Sequence, residues 1–217
     1  MPSLINLYNN LNLLDNLNLL AKGGPVMFIL LGFSILALFI IILKLIQFSI
    51  VRVSNTNALD NIISKLNKTN AKKLLIQIQQ IKNPIAKVVE VVIVTKSDQR
   101  FDKESRKSEI SRISSIQIRN LENYLGGLEV IASISPLLGL FGTVLGMIKA
   151  FLNLEKAGSQ IDPALLAGGI WEALLTTAFG LIVAIPALAA FYWLDGRVDQ
   201  VREDMRHAAI KTIKLLK

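Results

Sequence analysis

The stretch Asp162-Pro-Ala-Leu-Leu-Ala-Gly-Gly-Ile-Trp-Glu172-Ala-Leu-Leu-Thr176-Thr177-Ala-Phe-Gly180-Leu-Ile-Val-Ala-Ile-Pro186-Ala-Leu-Ala-Ala-Phe-Tyr-Trp-Leu194 contains a single charged side chain, Glu172, between Asp162 and Asp195. A bilayer core about 30 Å thick is crossed by about 20 apolar residues rising about 1.5 Å each, and this run exceeds that length. Asp162 followed by Pro163 has the form of a helix start, an N-cap and then a proline in the first turn. Counted from that start, Glu172 lies about 15 Å along the helix. The stretch reads as a transmembrane helix with a carboxylate inside it.

Two more segments have the same character. One runs uncharged from Gly23 to Leu43 and ends at Lys44, with Pro25 placed to open its helix; the other runs from Val130 to Ile148 between Glu129 and Lys149. Hydrophobic residues make up 52% of the 217, too many for an ordinary soluble globule. Aromatics are only 6%, so base-stacking platforms are missing, and no nucleic-acid motif occurs. The chain has no cysteine and one histidine, His207, which excludes disulfide, thiolate and zinc-cluster chemistry. No strand pattern or repeat is present, and the expectation is an all-α integral membrane protein with three transmembrane helices.

Lys and Arg are divided unevenly about these spans, 3 on one side against 21 on the other. The residues close to span ends (Lys44, Arg52, Arg112, Arg119 and the tail) point the same way, which puts the N-terminus outside and both the Lys44 to Glu129 region and the C-terminal tail in the cytoplasm. Tyr192 and Trp193 then fall at the cytoplasmic interface. The cytoplasmic region has helical periodicity through Leu59, Ile62, Ile63, Leu66, Leu74, Leu75, Ile78 and Ile81, broken at Asn83-Pro84. Val88 to Val94 is too short to cross a membrane and reads as buried in a helical bundle. From about Lys103 another helix carries Ile110, Ile113, Leu121, Tyr124 and Leu128 towards the second span, with which it can be continuous. The basic excess here serves topology and solubility, with contact to membrane lipid as the other reading. Leu4, Leu7, Leu11, Leu14 and Leu17 alternate with asparagines in a short amphipathic segment that lacks a basic n-region and reads as surface-lying rather than as a cleaved signal.

A carboxylate within a membrane helix costs a few kcal/mol, so it faces protein or water and tends to be functional. Glu172 fits that reading. It also fits an outer-interface position, because Ala173 to Leu194 alone can span. Gly169, Glu172, Thr176, Gly180 and Ala187 share one small, polar face; on the second span Pro136, Gly139, Thr143, Gly146 and Ala150 recur at similar spacing beside Gly142. Close helix packing accounts for the glycines and prolines, Pro186 included, while Thr143, Thr176 and Thr177 can bond to backbone or water. A carboxylate among threonines suits proton or cation passage. No acid and base pair, nucleophile triad or P-loop occurs, so neither an enzyme, a cofactor nor nucleotide-driven transport is expected, and energy must come from elsewhere.

Ser135-Pro-Leu-Leu-Gly-Leu-Phe-Gly-Thr-Val-Leu-Gly-Met-Ile-Lys-Ala-Phe151 and Gly169-Ile-Trp-Glu-Ala-Leu-Leu-Thr-Thr-Ala-Phe-Gly-Leu-Ile-Val-Ala-Ile-Pro-Ala187 resemble the signature spans of the ExbB/TolQ/MotA proton-channel family. With three spans the chain is most similar to ExbB and then TolQ. The resemblance implies a homopentamer around an ExbD- or TolR-like dimer in a bacterial inner membrane. Driven by the proton motive force, it would act on TonB, opening outer-membrane receptors, or on TolA, maintaining the envelope. It also implies that Glu172, Thr143 and Thr177 line the channel and pass protons to an aspartate of the partner; Thr176 joins them only through the shared face. Trp171 departs from the small or polar residue usual before that glutamate. The expected order is a periplasmic amphipathic segment over 1–22, spans over 23–43, 130–150 and 163–194, a cytoplasmic helical region over 44–129, a periplasmic hairpin over 151–162 and a cytoplasmic helix over 195–217. A passive scaffold and a free-standing ion channel are the readings outside the family.

Overall fold

The computed structural model describes residues 24–50, 57–64, 71–81, 83–157 and 163–216. The amphipathic N-terminal segment and Asp162 lie outside the described residues. Within them the chain is helical, without strands: α1 (Gly24–Ile50), α2 (Asn57–Ser64), α3 (Ala71–Gln79), α4 (Pro84–Ser97), α5 (Lys103–Glu122), α6 (Leu125–Ala157) and α7 (Pro163–Leu215). Three of these are long and apolar enough to cross a membrane, over Gly24–Ile50, Leu125–Lys156 and Leu166–Leu215. The protein is an all-α, multi-pass membrane protein.

The chain divides into two compact units. One comprises Met1–Ile40 and Gly127–Ala190, the other Ile41–Gly126 and Phe191–Lys217. In the first unit the usual distribution of side chains is inverted. Its large apolar residues, among them Phe39, Leu137, Leu140, Phe141, Leu174, Ile182 and Ile185, point outward, while Ala132, Ser135, Ala150, Ala173, Thr176 and Ala187 are buried. Lipid is as apolar as leucine, so outward leucines lose nothing, and helices associate through small residues that let backbones approach. Pro136 and Pro186 lie inside α6 and α7 without ending them. In a membrane the carbonyls they free are re-satisfied by neighbouring groups, so such helices persist.

The second unit has an ordinary core. Asn83 caps α4, its side chain accepting from the Ile85 amide at 2.8 Å, and Pro84 occupies the first turn, where its missing N–H costs nothing. Thus the Asn83-Pro84 break marks a helix start. Ile85, Val88, Val89, Val92 and Ile93 are buried, with α4 packed between α3 and α5. Arg106 of α5 holds the end of α4, donating to the Thr95 carbonyl at 3.1 Å and the Phe101 carbonyl at 3.0 Å. Glu90 is reached by Gln79 at 2.8 Å and Lys87 at 3.0 Å. Burial pushes its carboxyl up, but these hydrogen bonds and the Lys87 charge outweigh it and hold the group below its ordinary value.

The helix that begins at Lys103 is not continuous with the second span. Asn123 and Tyr124 form a turn, with Tyr124 at φ 69, and α6 starts afresh at Leu125. The apolar periodicity ran through this point because Leu121 and Leu128 are both buried, but the turn leaves Tyr124 exposed. The end of α5 is capped by a residue far away in sequence. Lys44, almost fully buried, donates from Nζ to the Leu121 carbonyl at 2.8 Å and to Gln47 Oε1 at 2.8 Å, while Gln47 Nε2 reaches the Asn120 carbonyl at 3.2 Å. A cation on terminal helix carbonyls is favoured by the helix dipole. Replacing Lys44 with Met keeps the stem and leaves the Leu121 carbonyl without this donor, a loss of about 1.5–3 kcal/mol for hydrogen bonds to a charged group. Denaturation in detergent followed by circular dichroism should show the lower midpoint, and an unchanged midpoint would remove Lys44 from this role.

Candidate functional site

In the first unit α6 and α7 lie antiparallel at backbone contact. A Cβ built on Gly180 would stand 2.6 Å from the Ser135 carbonyl oxygen, one on Gly139 3.0 Å from the Thr176 carbonyl oxygen, and one on Gly146 3.0 Å from the Ala173 Cβ. On Gly142 it would meet the Thr176 hydroxyl at 2.5 Å, and on Gly169 it would collide with Ala150. These glycines therefore form the seam itself. Gly168, next in sequence to Gly169, faces open space.

The seam positions the polar side chains. The buried Thr176 hydroxyl lies 2.7 Å from the Ala173 carbonyl and 3.3 Å from the Gly139 carbonyl, its single proton serving the nearer. Thr177 donates to the Gly139 carbonyl at 3.1 Å. Thr143 is not brought into this group: its hydroxyl turns back on its own helix, 2.6 Å from the Leu140 carbonyl. The seam on α6 runs through Ser135, Gly139, Gly142, Gly146 and Ala150, all buried, with Pro136 and Thr143 on its flank and part-exposed. Pro186 is exposed on α7. Trp171 is 61% exposed, so its bulk stays clear of the seam.

Glu172, its side chain 24% exposed, has a partner that sequence reading overlooked. Lys149 Nζ lies 3.3 Å from Oε1 and 3.4 Å from Oε2. Lys149 had served only to end the second apolar run, yet an antiparallel hairpin that sets Gly146 on Ala173 and Ala150 on Gly169 must bring residue 149 beside the turn carrying Glu172. Beside the pair is a cavity of about 110 Å³, lined by Gly142, Gly146, Thr176 and the first turn of α1 at Gly24, Pro25 and Val26. That volume holds a few waters at about 30 Å³ each. Among the described residues no group of three or more His, Asp or Glu side chains is assembled for a metal ion.

Residues 76–207 match the MotA/TolQ/ExbB proton channel family. The chain belongs to that family. It is 31% identical over 180 residues to a biopolymer transport protein ExbB homolog of Methanothermobacter thermautotrophicus, covering 82% of this chain and 62% of that protein. With the Tol-Pal system protein TolQ of Haemophilus influenzae it shares 46% identity over 88 residues, 41% of this chain and 38% of TolQ. With the biopolymer transport protein ExbB of Neisseria meningitidis serogroup A it shares 29% over 199 residues, 85% of this chain and 89% of that protein. The chain thus spans less than two thirds of the first two of these relatives.

The seam can be checked by adding one carbon. Gly180→Ala drives its Cβ against the Ser135 carbonyl, which cannot move without its helix, and overpacking of this kind costs typically about 1–3 kcal/mol. Gly168→Ala meets nothing and relieves a helical glycine. Thermal inactivation in detergent should occur at lower temperature for the first and not for the second; equal behaviour of both would mean the two helices are not in contact here.

Proposed function

We propose that this chain is the channel-forming subunit of a motor in a bacterial inner membrane, driven by the proton motive force and ExbB-like in its work. The observation that carries the reading is the placement of Glu172, the only carboxylate of the third apolar run, on the glycine seam beside Thr176 and a cavity large enough for water. A carboxylate held between packed membrane helices is suited to bind and release protons. Glu172, Thr176 and Thr177, with Thr143 on the flank, form the polar path. Protons pass along it to an aspartate on the transmembrane helices of an ExbD-like dimer, about which a pentamer of this chain steps. The outward apolar faces of the first unit accommodate those neighbours as readily as lipid.

On this reading the N-terminus and the 151–162 hairpin are periplasmic, and the 44–129 region and C-terminal helix are cytoplasmic, in keeping with the Lys and Arg distribution. Force passed to a TonB-like protein opens outer-membrane receptors. Match along most of the Neisseria ExbB favours this output, whereas the higher identity to TolQ over a shorter stretch favours a TolR and TolA assembly that maintains the envelope. Loss of receptor-dependent uptake on deleting the gene supports the first output, and outer-membrane leakage supports the second.

Glu172→Gln, in a complex that still assembles, should lower energised output by about a hundredfold or more, the scale of losing a positioned proton-transfer group. Output at the wild-type rate would sink the proton role of Glu172 and favour a passive scaffold. Topology is tested separately, on a background free of native cysteine. Ser159→Cys should react in intact spheroplasts with a membrane-impermeant thiol reagent, and Ser108→Cys only after lysis; the opposite pattern would invert the orientation.

A further inference from the structure

We propose that Lys149 is the specificity-determining residue of the Glu172 site: its ammonium occupies the cation position on the carboxylate, so that the site exchanges protons and shuts out alkali cations. The inference rests on the reading of Glu172 as a proton-handling group and adds what that group rejects.

Lys149 Nζ is nearly equidistant from the two carboxylate oxygens, at 3.3 and 3.4 Å. It therefore sits across the mouth of the carboxylate, where a sodium or potassium ion would bind. A metal cation on Glu172 would have to share the carboxylate with this ammonium or displace it, and like charges a few ångströms apart repel. Among the described residues the cavity wall beside the pair comes mainly from Gly24, Pro25, Val26, Gly142, Leu145 and Gly146, and the Thr176 hydroxyl is the one neutral side-chain oxygen in it, too few ligands to replace the water shell of an alkali cation. Among the described residues Lys149 and Glu172 are the charged groups at this cavity, and α1 contributes its uncharged first turn.

A proton meets neither obstacle. It forms an O–H bond with one carboxylate oxygen, cancels the charge there, and needs no shell of further ligands. The ammonium hydrogen bond to that oxygen breaks as the O–H bond forms, and the pair goes from neutral to a single positive charge on Lys149. The Lys149 side chain is 65% exposed, so it can swing to water or lipid headgroups while the site is loaded and return when the proton leaves. Its bonds are about half an ångström longer than tight charge-assisted ones at about 2.7–2.9 Å, a separation consistent with a partner that is displaced in each cycle.

The test uses the complex affinity-purified through this chain from its own cells and reconstituted in liposomes, with proton flux and radioactive sodium uptake measured in parallel. Wild type and Lys149→Arg should pass protons and exclude sodium. Lys149→Gln and Lys149→Met, which remove the charge from an exposed side chain, should admit sodium at least about tenfold faster while still passing protons. Sodium exclusion unchanged in both neutral variants would overturn the proposal, as would loss of proton flux in both, which would make Lys149 part of conduction rather than selection. Glu172→Gln separates this failure from failure of the proton reading: proton flux that survives it refutes the reading, whereas flux that it abolishes leaves the reading standing whatever the Lys149 variants do.

Discussion

Backbone contact between α6 and α7 is the constraint from which the rest of the membrane unit follows. Hydrocarbon exerts no hydrophobic pull between two apolar helices, so their association depends on how many atoms come within van der Waals range. Glycine at 139, 142, 146, 169 and 180 removes the side chains that would keep the axes apart. Only at that separation can Thr177 reach the Gly139 carbonyl across the seam, and only in that register do Lys149 and Glu172 meet. The polar groups do not by themselves bring the helices together; the close approach lets them find partners.

The two units solve opposite solvent problems with similar residues. In the membrane unit most Leu, Ile and Phe face outward, Leu30, Leu128 and Ile131 being buried, while Ala132, Ser135, Ala150, Ala173 and Thr176 face inward, because lipid accepts the former and small residues pack closely. In the other unit, Ile85, Val88, Val89, Val92, Ile93 and Leu121 are inside, while the salt bridges Lys87–Glu90 and Arg112–Glu109 lie on exposed helix surfaces. Surface pairs of this sort contribute about 0–1 kcal/mol, so the unit is held by apolar burial and by its helix ends, among them the buried Lys44 on the Leu121 carbonyl of α5.

The Glu172 carboxylate acquires its meaning from these surroundings. Isolated in lipid a carboxylate would be costly; here an ammonium, a buried threonine and space for water lie beside it. Membership of a proton channel family agrees with that chemistry. The counter-charge comes from the neighbouring helix of the same chain.

Sequence by itself determined whatever depends on length, composition and period. Three spans follow from runs that match a bilayer, the break at Asn83-Pro84 from local backbone chemistry, and the small faces of the last two spans from helical spacing. All of these are properties of neighbours along the chain. Tertiary structure alone decided what depends on where two helices meet. It turned the seam on the second span so that Thr143 lies on its flank, broke the helix at Tyr124 despite unbroken apolar periodicity, and assigned partners to Lys44 and Lys149. Helical spacing defines a face only to within a few tens of degrees, and a lysine at the end of an apolar run has the same local sequence whether it faces water, caps a distant helix or closes on a carboxylate. The rotation and register of packed helices make that choice, through contacts between residues 23 to 77 positions apart.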